Sequence, residues 1–201
     1  IAELIALSPE HVSCYQMSIE PDSELASLAD AGRYNELAQE VCAAHYSLLQ
    51  QMLKKAGYRQ YEISNFAIPG RESIHNSSYW ERIPYLGLGA SAHSFDGRSC
   101  RCRNIAEMKS YIDAMEGNDS IKIRSEEILS EDDKFNEQIM LGLRKVAGLS
   151  ISSLESSRLA KIKPVLDYLT STGDIISEGG IIRITEEKLF VSDGIMQQLF
   201  L

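Results

Sequence analysis

Three stretches of the chain bring together side chains that can do chemistry. His75, Asn76, Tyr79 and Trp80 lie in HNSSYW, which holds the only tryptophan. An imidazole, an amide and two large aromatics this close can bind a flat ligand or position a proton. The same residues also suit a packed loop in which Trp80 fills a groove and His75 caps a backbone group. Ser91 and His93, two apart in GASAH, would share one face of a strand. That pair lacks the closing glycine of a nucleophile elbow and a third partner, so a serine hydrolase is not supported. The glycines of GLGASA match a dinucleotide fingerprint in form, but such a fingerprint must open a helix, and a hairpin is expected instead. They imply the close approach of a ligand or of another strand. Cys100 and Cys102 sit among Arg98, Arg101 and Arg103, where positive charge favours thiolate. A lone C-x-C completes no metal site.

These groups need a scaffold, and the pattern of the chain supplies one. HVSCYQMSI, between Pro9 and Pro21, alternates as a strand over residues 11–19. Leu37, Val41, Ala44, Leu48 and Met52 recur at helical spacing as the apolar face of a long helix, with Gly57 at its end. YEIS is expected as a strand, and HNSSYW as an exposed loop beyond Pro69-Gly70. Two short strands should flank Asp96-Gly97, and Asn104 should cap a helix over 105–116 that stops at Gly117. Strands and helices alternate in this part, as in α/β architecture. Further on, Ser130 and Asp133 form a capping-box start for a helix through Leu141. SSLESSRLA and PVLDYLTST read as two helical segments, the second opened by Pro164, and ISEGGIIRI reads as a hairpin. Helices followed by a hairpin are the order of a winged helix. The expected fold is therefore α+β: an α/β portion over 1–117 and a helical, winged-helix-like domain over 118–201, with the boundary between 117 and 120.

Composition excludes several functions. The 201 residues are 44% hydrophobic and 24% charged, as in ordinary globular proteins. Twenty Lys and Arg against 29 Asp and Glu give a net charge of −9. Residues 118–201 alone carry 10 basic and 14 acidic side chains, and residues 164–172 contain neither Lys nor Arg. No nucleic-acid partner is expected from that balance. Cys14, Cys42, Cys100 and Cys102 are too scattered for a disulfide framework and are expected to be reduced thiols. No apolar run suggests a membrane span, and IAELIALSPEH has neither the charge nor the cleavage site of a signal peptide, so a cytoplasmic location is expected. That opening stretch, without an initiator Met, reads as the tail of an amphipathic helix in a longer protein.

Taken in order, HVSCYQMSIEPDSELA, YEISNFAIPG, HNSSYW, YLGLGASAHSF and NEQIMLGLRKVAGLS resemble one family. It is the radical S-adenosylmethionine (SAM) family of oxygen-independent coproporphyrinogen III oxidases and HemW-type haem chaperones. H-N-x-x-Y-W after Y-E-x-S-N-F-A is more like the chaperone branch. The family's C-x-x-x-C-x-x-C loop, which holds a [4Fe–4S] cluster, is absent. The resemblance therefore covers a carboxyl-terminal half: the last elements of a partial barrel and a helical domain.

The resemblance implies SAM and a [4Fe–4S] cluster in the full-length parent. It puts Tyr15 and Ser18 on a barrel strand near SAM, His93 on the SAM side of the barrel, and His75 at a haem contact. The implied function is binding of haem and its delivery to an acceptor protein. Oxidative decarboxylation of coproporphyrinogen III to protoporphyrinogen IX is the alternative, and a non-catalytic docking module is a third. The implied partners are haem or a porphyrinogen and a haem-acceptor protein. No catalytic residue or metal ligand is assigned within this chain.

Overall fold

The computed structural model describes residues 1–117 and 123–201; the stretch in which the domain boundary is expected, 118–120, lies outside them. Helix α1 (Ala2–Leu7) leads into strand β1 (His11–Ser13). Helices α2 (Glu24–Asp30) and α3 (Gln39–Lys55) follow, then strands β2 (Arg59–Gln60) and β3 (Asn65–Ala67). Helix α4 (Ile74–Trp80), strands β4 (His93–Phe95) and β5 (Cys100–Asn104) and helix α5 (Met108–Glu116) complete the stretch up to Gly117. Beyond it come β6 (Arg124–Ile128), α6 (Glu131–Arg144), β7 (Leu149–Ser150), α7 (Ser156–Ser171), β8 (Ile175–Glu178), β9 (Ile181–Ile184) and α8 (Ser192–Gln197).

The described strands form three antiparallel sheets, ordered β1-β3-β2, β4-β5-β6 and β7-β9-β8, and close no barrel. In the first sheet Val12 lies opposite Phe66, and both pack with Leu53 and Tyr58 beneath α3. Alternation along β1 turns His11 and Ser13 to the other face. The second apolar core joins Phe135, Ile139 and Leu143 of α6, at four-residue intervals, to Ile162, Leu166 and Leu169 of α7 and to the β8–β9 hairpin. Gly179 and Gly180 both take positive φ in its turn, as a two-residue hairpin requires.

Helix α6 is the strut between these parts. Its first turn is a capping box: Ser130 Oγ accepts from the Asp133 N–H, and the Asp133 carboxylate accepts from Ser130 N. Along its length Glu137 pairs with Arg82 and Arg101, Arg144 pairs with Glu62, and Lys145, just after its end, pairs with Glu81.

Several expectations change at this level. The strand expected over 11–19 stops at Ser13, so Tyr15 and Ser18 lie beyond it in irregular backbone. The period of α3 is as expected but its phase is not. Cys42, Tyr46, Leu49 and Leu53 face inward, while Val41 and Leu48 are exposed. YEIS is a bend between β2 and β3, HNSSYW is helix α4, and Asn104 is a buried strand residue. Glu107 caps α5 instead, its carboxylate accepting from Lys109 N and Ser110 N. The two segments around Pro164 form one helix, α7. Ile162, Leu166 and Leu169 are buried in one core, and that packing carries the helix through an exposed proline despite the lost hydrogen bond. Its cations are largely taken: Arg158 pairs with Asp132 and Glu155, and Lys163 with Asp167. Among the described residues no helix is long and apolar enough to cross a membrane.

Candidate functional site

The face of the first sheet turned away from α3 is polar. Ser13 Oγ donates to Asn65 Oδ1 at 2.5 Å, and Asn65 Nδ2 donates to Glu62 Oε1 at 2.6 Å. Ser64 N donates to the same oxygen at 2.7 Å, so one carboxylate curls the chain between β2 and β3. Glu62 is fully buried, and its second oxygen has Arg144 Nε at 2.5 Å. A carboxylate taken out of water needs such a partner. The Arg144 guanidinium also lies 5.9 Å from the centre of the Trp80 ring, at cation–π distance.

Trp80 packs on its other neighbour, Tyr61, with ring centres 5.7 Å apart. The Tyr61 hydroxyl lies 2.7 Å from His11 Nε2 and accepts a hydrogen bond from Ser73 N at 3.2 Å. Burial pushes the Tyr61 hydroxyl up from its ordinary pKa, so it stays protonated. Ser73 in turn caps α4, its Oγ accepting from Asn76 N.

On α4, His75 and Tyr79 are one turn apart. Their rings stand edge to face at 4.9 Å, and Tyr79 Oη lies 3.0 Å from His75 Nε2. The series continues through Tyr85 to Phe95, over which Arg82 and Arg101 stack at 5.3 and 5.9 Å. His75 is exposed at the open end of this series. His93 is also exposed, opposite Arg103 and two residues before buried Phe95 on the same strand face.

Gly87 explains the glycine-rich stretch before His93. A Cβ there would lie 2.0 Å from the His93 carbonyl oxygen, so what approaches closely is strand β4. Ser91, at φ +61°, sits in a turn outside β4 and forms no hydrogen bond with His93.

Tyr15, beyond the end of β1, is exposed on a groove of about 530 Å³ that Met17, Leu37, Cys42 and His45 also line. Ser18 donates to Glu20 at 2.9 Å. The expected residues thus fall at two places: His75 and His93 near the aromatic series, Tyr15 beside the groove. His11, Tyr61, Glu62 and Arg144 were not singled out from the sequence. The available signal was alternation, since polar residues flanking Val12 must face away from the apolar core.

The four cysteines lie after β1, on α3 and on β5, all as free thiols. Cys100 and Cys102 approach to 4.0 Å between sulfurs. Burial, then the neighbouring Cys102, pushes the Cys100 thiol up, opposite to the shift expected from the arginines. Among the described residues no three His, Cys, Asp or Glu side chains are grouped to hold a metal ion, and these residues do not fit an iron–sulfur cluster.

No protein-family model matches the chain. It is 36% identical over 190 residues to the heme chaperone HemW of Bacillus subtilis, covering 94% of this chain and 48% of that protein. Against the heme chaperone HemW of Synechocystis it is 35% identical over 176 residues, 85% of this chain and 41% of that one. A mitochondrial radical S-adenosyl methionine domain-containing protein 1 from Bos taurus is 40% identical over 90 residues, 45% of this chain and 20% of its own length. Among solved structures, coproporphyrinogen III oxidase (HemN) from Escherichia coli, described as a radical SAM enzyme, superposes with a TM-score of 0.73. It covers 99% of this chain and 50% of that one, at 17% identity, a likeness of fold alone. The chain spans about half the length of the curated relatives it matches.

Proposed function

The chain belongs to the HemN/HemW-like radical SAM family, to whose carboxyl-terminal half it corresponds, and from that premise we propose that it is the haem-holding part of a cytoplasmic haem chaperone. The observation that carries this reading is helix α4, which presents His75 to solvent at the end of an aromatic series. A neutral imidazole is a good iron ligand, and Tyr79 fixes the orientation of this one. The rings of Tyr79 and Tyr85 offer apolar surface for a porphyrin, and His93 lies on the strand face of Phe95. The likeness to proteins named heme chaperone supports haem as cargo.

In the full-length protein, SAM and a [4Fe–4S] cluster would be held largely outside this chain, with Tyr15 and Ser18 its contributions on the SAM side. The groove beside Tyr15 supports the assignment of Tyr15; Ser18 does not line it. Delivery to an acceptor protein is the second half of the reading. It is tested by loading the chain with haem and mixing it with an excess of apomyoglobin. Growth of the myoglobin Soret band faster than from free haem is expected; a chain that retains haem, or releases it no faster, contradicts delivery.

A further inference from the structure

We propose that His11 is a second ligand-binding residue of this site, and that its Nδ1–H donates a hydrogen bond to a carboxylate of the bound porphyrin. The inference rests on the reading that the cargo is a porphyrin, and adds the group that recognises its acidic edge.

The argument starts at Tyr61. Its hydroxyl oxygen accepts the Ser73 N–H at 3.2 Å, and Nε2 of His11 lies 2.7 Å away. With one lone pair engaged by Ser73, the hydroxyl proton has a single well-placed acceptor, His11 Nε2. Burial keeps that hydroxyl protonated. In that arrangement the neutral imidazole carries its proton on Nδ1. Among the described residues Nδ1 has no hydrogen-bond partner. The ring is half-buried, on the sheet face that also carries Ser13 and Tyr61, and Tyr61 packs against Trp80. A donor that Tyr61 holds in orientation, with no protein acceptor among the described residues, is open to an acceptor from outside, and a carboxylate gives the strong, charge-assisted bond.

The geometry also couples the two histidines. Tyr61 holds His11 on one side and Ser73, the cap of α4, on the other, two residues before His75. One hydroxyl thus sets the tautomer of His11 and the start of the helix that carries His75.

The test uses iron-free protoporphyrin IX and its dimethyl ester, so that iron ligation by His75 plays no part. Wild-type chain should bind the dicarboxylic acid about tenfold or more tightly than the ester, the scale of one charge-assisted hydrogen bond. His11→Phe should erase that preference. His11→Asn, which keeps a donor near the Nδ1 position, should restore part of it. Long-range nitrogen–proton correlation spectra of the wild type should show His11 protonated on Nδ1, and the Nδ1 proton should move downfield with protoporphyrin but not with the ester. This second measurement holds even if His11→Phe fails to fold. An Nε2-protonated ring, or an acid-to-ester ratio equal in wild type and His11→Phe, would overturn the proposal. So would a response of the His11 ring to SAM alone, which would assign the donor to the methionyl carboxylate. If His11 discriminates acid from ester while haem spectra ignore His75, only the His75 contact fails. If neither porphyrin binds, the cargo assignment and this inference fall together.

Discussion

The Glu62 carboxylate, wholly buried between β2 and β3, meets Arg144 Nε at the end of α6 across 2.5 Å. This pair ties Y-E-x-S-N-F-A to the helical part of the chain, and through Trp80 it braces α4. The residues that make the segment recognisable thus include a structural joint as well as a site.

Arg144→Ala should destabilise the chain by roughly 3 kcal/mol, because it strands a buried carboxylate rather than removing a surface contact. Glu62→Gln should cost less, since an amide oxygen still accepts from Ser64 N and Asn65. Urea unfolding of both variants checks this; equal, small losses would mean the pair is not a joint.

Gly87→Ala should be tolerated poorly. A Cβ 2.0 Å from the His93 carbonyl oxygen forces backbone to move, with a cost of about 1–3 kcal/mol as for other overpacking. Amide chemical shifts of residues 93–95 should change together with the unfolding midpoint. A variant with native shifts and native stability would remove the packing account of this glycine.

The Asp133 carboxylate is held below its ordinary value of 3.8 by the Ser130 hydroxyl and N–H. Its folded-state pKa lies below the unfolded one, so its contribution is present above pH 3.8 and lost as pH falls through the folded value. Glu107, capping α5, behaves in the same sense. The chain should lose stability on acidification below about pH 4, and Asp133→Asn should flatten that loss. Thermal melts from pH 6 to about pH 2 read both, and an unchanged acid profile in Asp133→Asn would contradict the assignment.

Reconstitution of the chain with iron and sulfide under anaerobic conditions should leave its absorbance near 400 nm (about that of cluster charge transfer) unchanged. The four thiols lie on separate elements apart from Cys100 and Cys102. A stoichiometric cluster would show that the described placement of Cys14 and Cys42 does not prevent one.

Much of the helical part was legible in the sequence because its signals are local. The Ser130–Asp133 box and the Gly179-Gly180 turn each act within a few residues, and both form as read. The first part depends on partners far along the chain. Helix α3 carries two apolar stripes, and which one is buried is decided by Val12 and Phe66, not by its own period. YEIS bends because Glu62 accepts from Ser64 and Asn65 and faces Arg144, a residue more than 80 positions away, and no strand pattern announces that. His75 was found through its motif, whereas His11 and Tyr61 emerge only when β1 and α4 are brought together.

The central claim, that the α4 face holds haem through His75, is tested most directly by titrating haem into the chain and following the Soret band. Wild type should bind one haem with a shifted Soret maximum. His75→Ala should move that maximum or weaken binding at least several-fold with the fold intact, and His93→Ala should do so to a lesser degree. His45→Ala, on the groove beside Tyr15, should match wild type. A Soret band and affinity indifferent to His75 and His93, or sensitive to His45 alone, would contradict the account.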